Sequence, residues 1–322
     1  MAKSRKLETA LTKVRNIQQL EALAEGDIVA LRNIIRGKQP VVIAAITKLI
    51  IRHCLTQLVP DLSAAFERML ESGEKTDPGC RAKWAIANTL YQLEQPETSL
   101  FLAGIRHIQR EPVWGGTTDT APALRSLCAL GLVQANHPQV LNELADLLAD
   151  AEHDARAGAA RAVGYSQNPA GIPLLRLKIH IGDSEPQVLS ECFISLLQLS
   201  PAQAPLVVDS LKTGSEPVQA LAALALGEAR IPEAFTSIKQ QWQRTRSPEL
   251  RERFLLAIAT LRTEEAIAFL IGLLARGNAQ DAQAALVALD IYRHTTDIWQ
   301  QVAKAVQIRD DASLTAMLNR HT

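Results

Sequence analysis

Aromatic residues are scarce in this chain: Trp, Tyr and Phe together make up 4% of 322 residues. A core cannot then be built on rings. The 47% of hydrophobic residues are mainly Ala, Leu, Ile and Val, which favour helices packed closely on helices. Net charge is absent too. The 34 Lys and Arg balance the 34 Asp and Glu, which removes the bulk electrostatic argument for nucleic acid or a membrane surface. Cysteine is limited to Cys54, Cys80, Cys128 and Cys192, with no C-x-x-C pair. Buried reduced thiols of a cytosolic protein are the expectation. The longest apolar stretch, VVIAAITKLII, is interrupted by Lys48 and falls short of the roughly 20 residues that span a bilayer. The basic N-terminus MAKSRKLETALTKV lacks the apolar segment of a signal peptide. A cytoplasmic protein with no membrane segment is expected.

Chemical motifs are missing as well. There is no G-x-S-x-G, and no Cys stands beside a His in a glycine-rich turn. His53 precedes Cys54, but adjacent helical residues do not face each other, so a buried thiol beside a half-exposed imidazole is expected. Seven histidines are scattered without ligand spacing, and neither a metal nor another cofactor is expected.

What the sequence does contain is a repeat. DARAGAARAVG (154–164), EPVQALAALALG (216–227), ELRERFLLAIAT (249–260) and AQDAQAALVALD (279–290) share a polar start and small apolar residues at helical spacing. Aligning Gly131, Gly164, Gln198, Gly227, Thr260 and Asp290 gives steps of 29 to 34 residues, the length of two short helices and their turns. The intervening segments, HPQVLNELADLLAD and SPAQAPLVVDSLKTG among them, begin with a turn residue or proline and continue with apolar residues three and four apart. One helix pair cannot bury its apolar face alone, whereas stacked pairs make a continuous core. The expected fold is an all-α, right-handed α-solenoid of about eight helix pairs, treated as one domain. Residues 1–25 form an N-terminal capping helix with a stripe of Leu7, Leu11, Val14, Ile17 and Leu20. The array covers 26–308, and 309–322 form the opposite cap.

DAEHDARAGAARAVGYSQNPAGIPLLRLKI resembles a HEAT-type repeat of the short bacterial kind, also seen in phycobilisome-lyase-like proteins. The segment from DPGCRAK to REPVWGGTTDTAPALRSLCALGLV is similar to a bacterial group of such proteins and implies no activity. The resemblance covers roughly 26–308. It implies that first helices lie on a convex side and second helices line a concave side. It does not extend to the His-Glu dipeptides by which a deoxyhypusine-type HEAT-repeat hydroxylase holds iron, since no His here is followed by Glu. No motif specific to the bilin lyases is present either. A HEAT-like DNA glycosylase uses a basic concave face and aromatics. Trp84, Trp114, Trp242 and Trp299 are spread along the chain, and the one basic excess is at the N-terminal end, where residues 1–56 hold ten Lys or Arg against four Asp or Glu.

Two consecutive inter-helix turns are longer than the rest, ESGEKTDPGC (71–80) and EPVWGGTTDTA (111–121). A regular stack places them side by side on one edge. Thr76 or Asp77 is suited to cap the helix carrying Arg81, Lys83 and Trp84, and Asp119 or Thr120 the helix carrying Arg125. Gly115 and Gly116 permit unusual backbone. Three readings of the region stand open: Trp114 as a plug between unequal repeats, Trp114 as an exposed anchor for a partner, or an anion site at the helix starts with Arg81, Arg106 or Arg110. In the acidic stretch 143–154, Asp150 and Asp154 are expected to cap a helix. The leading functional expectation is a non-enzymatic scaffold that binds a protein or peptide along the concave face and at the two loops. Its candidate contact residues are Arg81, Trp84, Arg106, Arg110, Trp114, Gly115, Gly116, Asp119, Thr120 and Arg125. A bilin-lyase-like enzyme or associated factor, and a nucleic-acid binder using the basic N-terminal end, are the alternatives.

Overall fold

The computed structural model describes residues 2–20, 23–37, 39–73 and 76–320. It is an all-α helical-repeat structure with nineteen α-helices among the described residues. Contacts divide the chain into two compact units, Met1–Gln167 and Asn168–Thr322, where the sequence reading treats it as one domain.

The first unit holds α1 (Ala2–Gln18), α2 (Glu25–Ile35), α3 (Pro40–Arg52), α4 (Val59–Ser72), α5 (Arg81–Gln92), α6 (Thr98–Ile105), α7 (Pro122–Gln134), α8 (Val140–Leu147) and α9 (His153–Tyr165). From α2 onward they form four antiparallel pairs by sequence order. The second helices α3, α5, α7 and α9 stand in a row, and α2 packs on α4 behind them. Small residues let this row close up. A Cβ placed on Gly158 of α9 would come within 2.8 Å of the Ser126 Cα on α7, so only glycine fits there. The helix α1 packs on α3; of its apolar stripe, the Leu7 side chain lies outside the described residues. Val14 and Ile17 are buried, whereas Leu20, past the end of the helix, is exposed.

The second unit holds α10 (Ile172–Ile181), α11 (Pro186–Leu199), α12 (Ala204–Thr213), α13 (Glu216–Glu228), α14 (Ala234–Arg244), α15 (Pro248–Leu261), α16 (Glu264–Arg276), α17 (Ala279–Leu289), α18 (Thr296–Arg309) and α19 (Ala312–Arg320). Here α11, α13, α15 and α17 make the row. Ser247, Thr263 and Asn278 cap α15, α16 and α17 with their side-chain oxygens. Arg251 of α15 lies over the buried Trp242 ring and reaches Asp281 at 2.6 Å. The unit ends in the pair α18/α19; residues 321 and 322 of the expected cap lie outside the described residues.

Between α6 and α7 the helical plan is broken by a β-hairpin, β1 (Arg110–Val113) and β2 (Gly116–Asp119), paired from Arg110↔Asp119 to Val113↔Gly116. This corrects the expectation of a long turn with Asp119 or Thr120 capping the next helix: Thr117 and Thr118 are strand residues, and α7 begins at Pro122 with no side-chain cap. The β-branched Val113, Thr117 and Thr118 favour extended backbone. The tight turn Trp114–Gly115 has positive φ (85°) only at its second position, the sign pattern of a type II turn, which favours glycine there.

The cysteines are all free, and Cys80, Cys128 and Cys192 are buried. Cys54 is exposed, contrary to expectation, because α3 ends at Arg52 and the chain turns through a left-handed Cys54 (φ 50°). Among the described residues no helix is long and apolar enough to cross a membrane.

Candidate functional site

The two long turns do lie side by side, and their own polar groups join them. Asp77 caps α5, its Oδ1 accepting from the Ala82 N–H (2.9 Å) and its Oδ2 from the Lys83 N–H (3.0 Å). Its carbonyl accepts from Gln109 Nε2 at 2.8 Å. Glu111, on β1, places Oε1 where three donors meet: the Gly79 N–H (2.6 Å), Gln109 Nε2 (2.6 Å) and Thr120 Oγ1 (2.8 Å). One carboxylate and one amide thus latch the hairpin to the 3-10 turn Pro78–Cys80. Glu74 and Lys75 of this loop lie outside the described residues.

A second polar cluster secures the other end of the hairpin. Asp119 Oδ1 accepts from the N–H groups of Gln109 (3.1 Å) and Ala121 (2.9 Å), and its Oδ2 from Arg125 Nη1 (2.7 Å). Arg125 also donates to the His107 carbonyl (2.9 Å) and to Asp150 Oδ1 (2.9 Å), which in turn accepts from the Glu152 N–H just before α9; the expected caps are corrected, since no side chain caps α9 and Asp154 lies in its first turn. Only 2% of Arg125 is exposed. Its place among the partner-contact residues is therefore corrected: Arg125, with Asp119, holds the hairpin base and the next repeat together. Lys83 is wholly buried, with Nζ 3.3 Å from Asp77 Oδ2 and no hydrogen-bond acceptor among the described residues.

These surroundings set the titration of the cluster. Burial pushes the Cys80 thiol up to about 12 against the lowering effect of Lys83, so it is a protonated, enclosed thiol rather than a nucleophile. Burial also pulls the His107 imidazole below its ordinary range, opposed by its hydrogen bond with Gln109. For Glu111 burial acts upward, yet the hydrogen bonds from Gln109, Thr120 and Gly79 and the Lys83 charge outweigh it, and the carboxyl sits below its usual range. Asp119 is likewise lowered, burial being outweighed by donation from Ala121, Arg125 and Gln109.

The remaining candidates fall into two groups. Trp114 is completely exposed at the hairpin tip, with Val113 and Ile108 also exposed, so the plug reading is overturned. Gly115 and Gly116 have open space where a Cβ would stand. Arg81 and Arg110 are exposed, and Trp84 is 41% exposed on α5. Arg106 is solvent-facing but ion-paired with Glu143 through Nε at 3.0 Å and through Nη2. The anion reading meets an obstacle: the N–H groups of Gly79, Ala82, Lys83 and Ala121 are already taken by Glu111, Asp77 and Asp119. Thr120 is a member of the latch. Gln109, Glu111 and the pairing of Asp150 with Arg125 were not foreseen, because their partners come from segments 25 to 32 residues away. Among the described residues no group of three or more His, Cys, Asp or Glu is arranged to hold a metal ion.

Residues 204–290, within the second unit, match the family model for HEAT repeats. No curated protein matches the chain. Among solved structures, the complex of CpcE and CpcF of phycocyanin lyase from Nostoc sp. PCC7120 is similar at 16% identity and a TM-score of 0.38, over 76% of this chain and 93% of that one. Human deoxyhypusine hydroxylase in complex with glycerol is similar at 16% identity and a TM-score of 0.34, over 74% and 98%. Likeness at this level carries no functional argument.

Proposed function

We propose that this chain is a non-catalytic docking scaffold that engages a partner protein through the hairpin Arg110–Asp119 and the adjoining loop. The observation that carries the reading is Trp114, fully exposed at the tip of a hairpin whose base is tied to two helix starts. An indole has only two side-chain torsions to fix on binding and supplies a wide apolar contact, the profile of an interface anchor. Exposed Val113 and Ile108 extend the apolar surface beside it. Trp84 and Arg110, both exposed, supply further aromatic and polar contacts in this reading. The row of second helices in the first unit is the surface against which the rest of a partner would lie.

The nucleic-acid alternative is weakened by Asp61, which pairs with Arg32 at 3.0 Å and Arg36 at 2.9 Å and so neutralises part of the basic N-terminal end. The lyase-like alternative gains no observation of its own. Affinity capture with the whole chain, followed by mass spectrometry, tests the proposal. A defined partner recovered with the wild type and lost with folded Trp114→Ala is expected. The same partner recovered equally with both proteins removes the hairpin from the interface.

A further inference from the structure

A groove of about 780 Å³ opens beside the latch in the first unit. One wall is a single face of α3, where Val41, Ala44 and Lys48 are spaced three and four residues apart. The other is formed by Pro78, Arg81 and Glu111. Val41 is 62% exposed, an unusual position for a β-branched residue on a helix that otherwise buries Val42, Ile43 and Ile46. The floor is thus apolar and open.

The charges around it are unequal. Lys48 and Arg81 are both exposed, and neither has an ion-pair or hydrogen-bond partner among the described residues. Two carboxylates line the groove with them: Asp77, buried and held by the Ala82 and Lys83 N–H groups beside the Lys83 ammonium, and Glu111, whose Oε1 is committed to three donors while Oε2 takes no hydrogen bond among the described residues. Behind Glu111, the buried Lys83 further offsets its charge. Asp77 is buried and paired with Lys83, and Glu111 is part-neutralised, so the two exposed, unpaired cations attract an anion, and the apolar floor asks for more than a small ion.

We propose that this groove docks an acidic, apolar segment of a partner protein. Its carboxylates lie between Lys48 and Arg81, an apolar side chain covers Val41, Ala44 and Pro78, and a main-chain N–H donates to Glu111 Oε2. The inference rests on the scaffold reading and adds the chemistry of the partner, through a surface separate from the Trp114 tip.

Selection of peptides from a random displayed library against the whole folded chain provides the test. Enriched peptides are expected to combine Asp or Glu with Leu, Ile or Val. Their affinity should fall at least ~10-fold in the double variant Lys48→Glu/Arg81→Glu, fall with added salt, and stay unchanged in Trp114→Ala. Both substituted residues are exposed, so circular dichroism should show the double variant folded. Replacing the acidic residues of an enriched peptide by lysine should restore its binding to that variant. Enrichment of basic peptides, no enrichment, or affinity indifferent to the double reversal overturns the groove proposal. Peptides that depend on Trp114 but not on Lys48 and Arg81 overturn it while leaving the scaffold reading intact.

Discussion

Arg125 on α7 reaches into the next repeat to Asp150, with Nη2 2.9 Å from Oδ1 and Nε 2.9 Å from Oδ2, while its Nη1 holds Asp119 on the near side. A single guanidinium therefore joins the hairpin base, the start of α7 and the turn before α9. Removing it leaves two largely buried carboxylates without the cation they share. Arg125→Ala should cost about 3–5 kcal/mol, the penalty for breaking a buried pair by deleting one partner. Replacing Arg125, Asp119 and Asp150 together by apolar residues of similar volume should cost less than the single change, because no uncompensated charge remains. Denaturant midpoints of the two variants decide the matter; a triple variant as unstable as Arg125→Ala, or more so, contradicts it.

The pair Lys83 and Asp77 predicts an asymmetry. Asp77 keeps two N–H donors from α5 even without its lysine, whereas among the described residues Lys83 has a single ion-pair partner, Asp77 at 3.3 Å. Lys83→Met removes a fully buried ammonium and should be neutral or stabilising. Asp77→Ala abandons that ammonium and two helix-start N–H groups, and should cost about 3–5 kcal/mol. Thermal melts of both variants test this. A Lys83→Met protein destabilised as severely as Asp77→Ala contradicts it.

The contrast between these buried charges and the helices around them shows what the sequence can express. Helix pairs are legible because burial writes a period: the small residues near Gly131 and Gly227 recur, and Pro40, Pro122, Pro186 and Pro248 mark first turns. The side-by-side placement of the two long turns follows from the repeat geometry alone. The hairpin leaves no such trace. Its strands are four residues long and almost wholly exposed, so no apolar alternation arises, and only the β-branched Val113, Thr117 and Thr118 around Trp114–Gly115 point to it. Arg125 is as charged in sequence as exposed Arg110. What separates them is Asp150, 25 residues downstream, and no local pattern records that contact.

The acid response of the first unit follows from Glu111 and Asp119, both held below the ordinary carboxylate range, burial being outweighed by the hydrogen bonds to them. A lowered folded pKa gives stability that is present above the unfolded value, about 4, and is lost as pH falls through the folded value. His107, lowered chiefly by burial, adds a term of the same sign that begins higher: the unfolded chain takes up its proton first below about 6.5. The stability difference between wild type and Asp119→Asn should therefore be largest near neutral pH and shrink towards pH 3. Urea midpoints measured across this range supply the check, and a difference that widens in acid opposes the assignment.

Trp114 separates binding from folding. It is completely exposed, and its neighbours Gly115 and Gly116 have no atoms packed where a Cβ would stand. Trp114→Ala should leave stability within about 0.5 kcal/mol, as surface changes do. If the indole anchors a partner, the same change should cost about 2 kcal/mol of binding, roughly a 30-fold loss of affinity. Gly115→Val probes the other half of the arrangement, since a β-branched residue resists the φ of 85° that turns the hairpin. It should weaken binding by misplacing the indole while leaving the helical signal unchanged, because the hairpin lies outside the helix rows. Titration of the captured partner against both variants, with far-ultraviolet circular dichroism alongside, reads the two effects separately. Loss of helical signal in Trp114→Ala would show that the indole supports the fold and is not a free anchor.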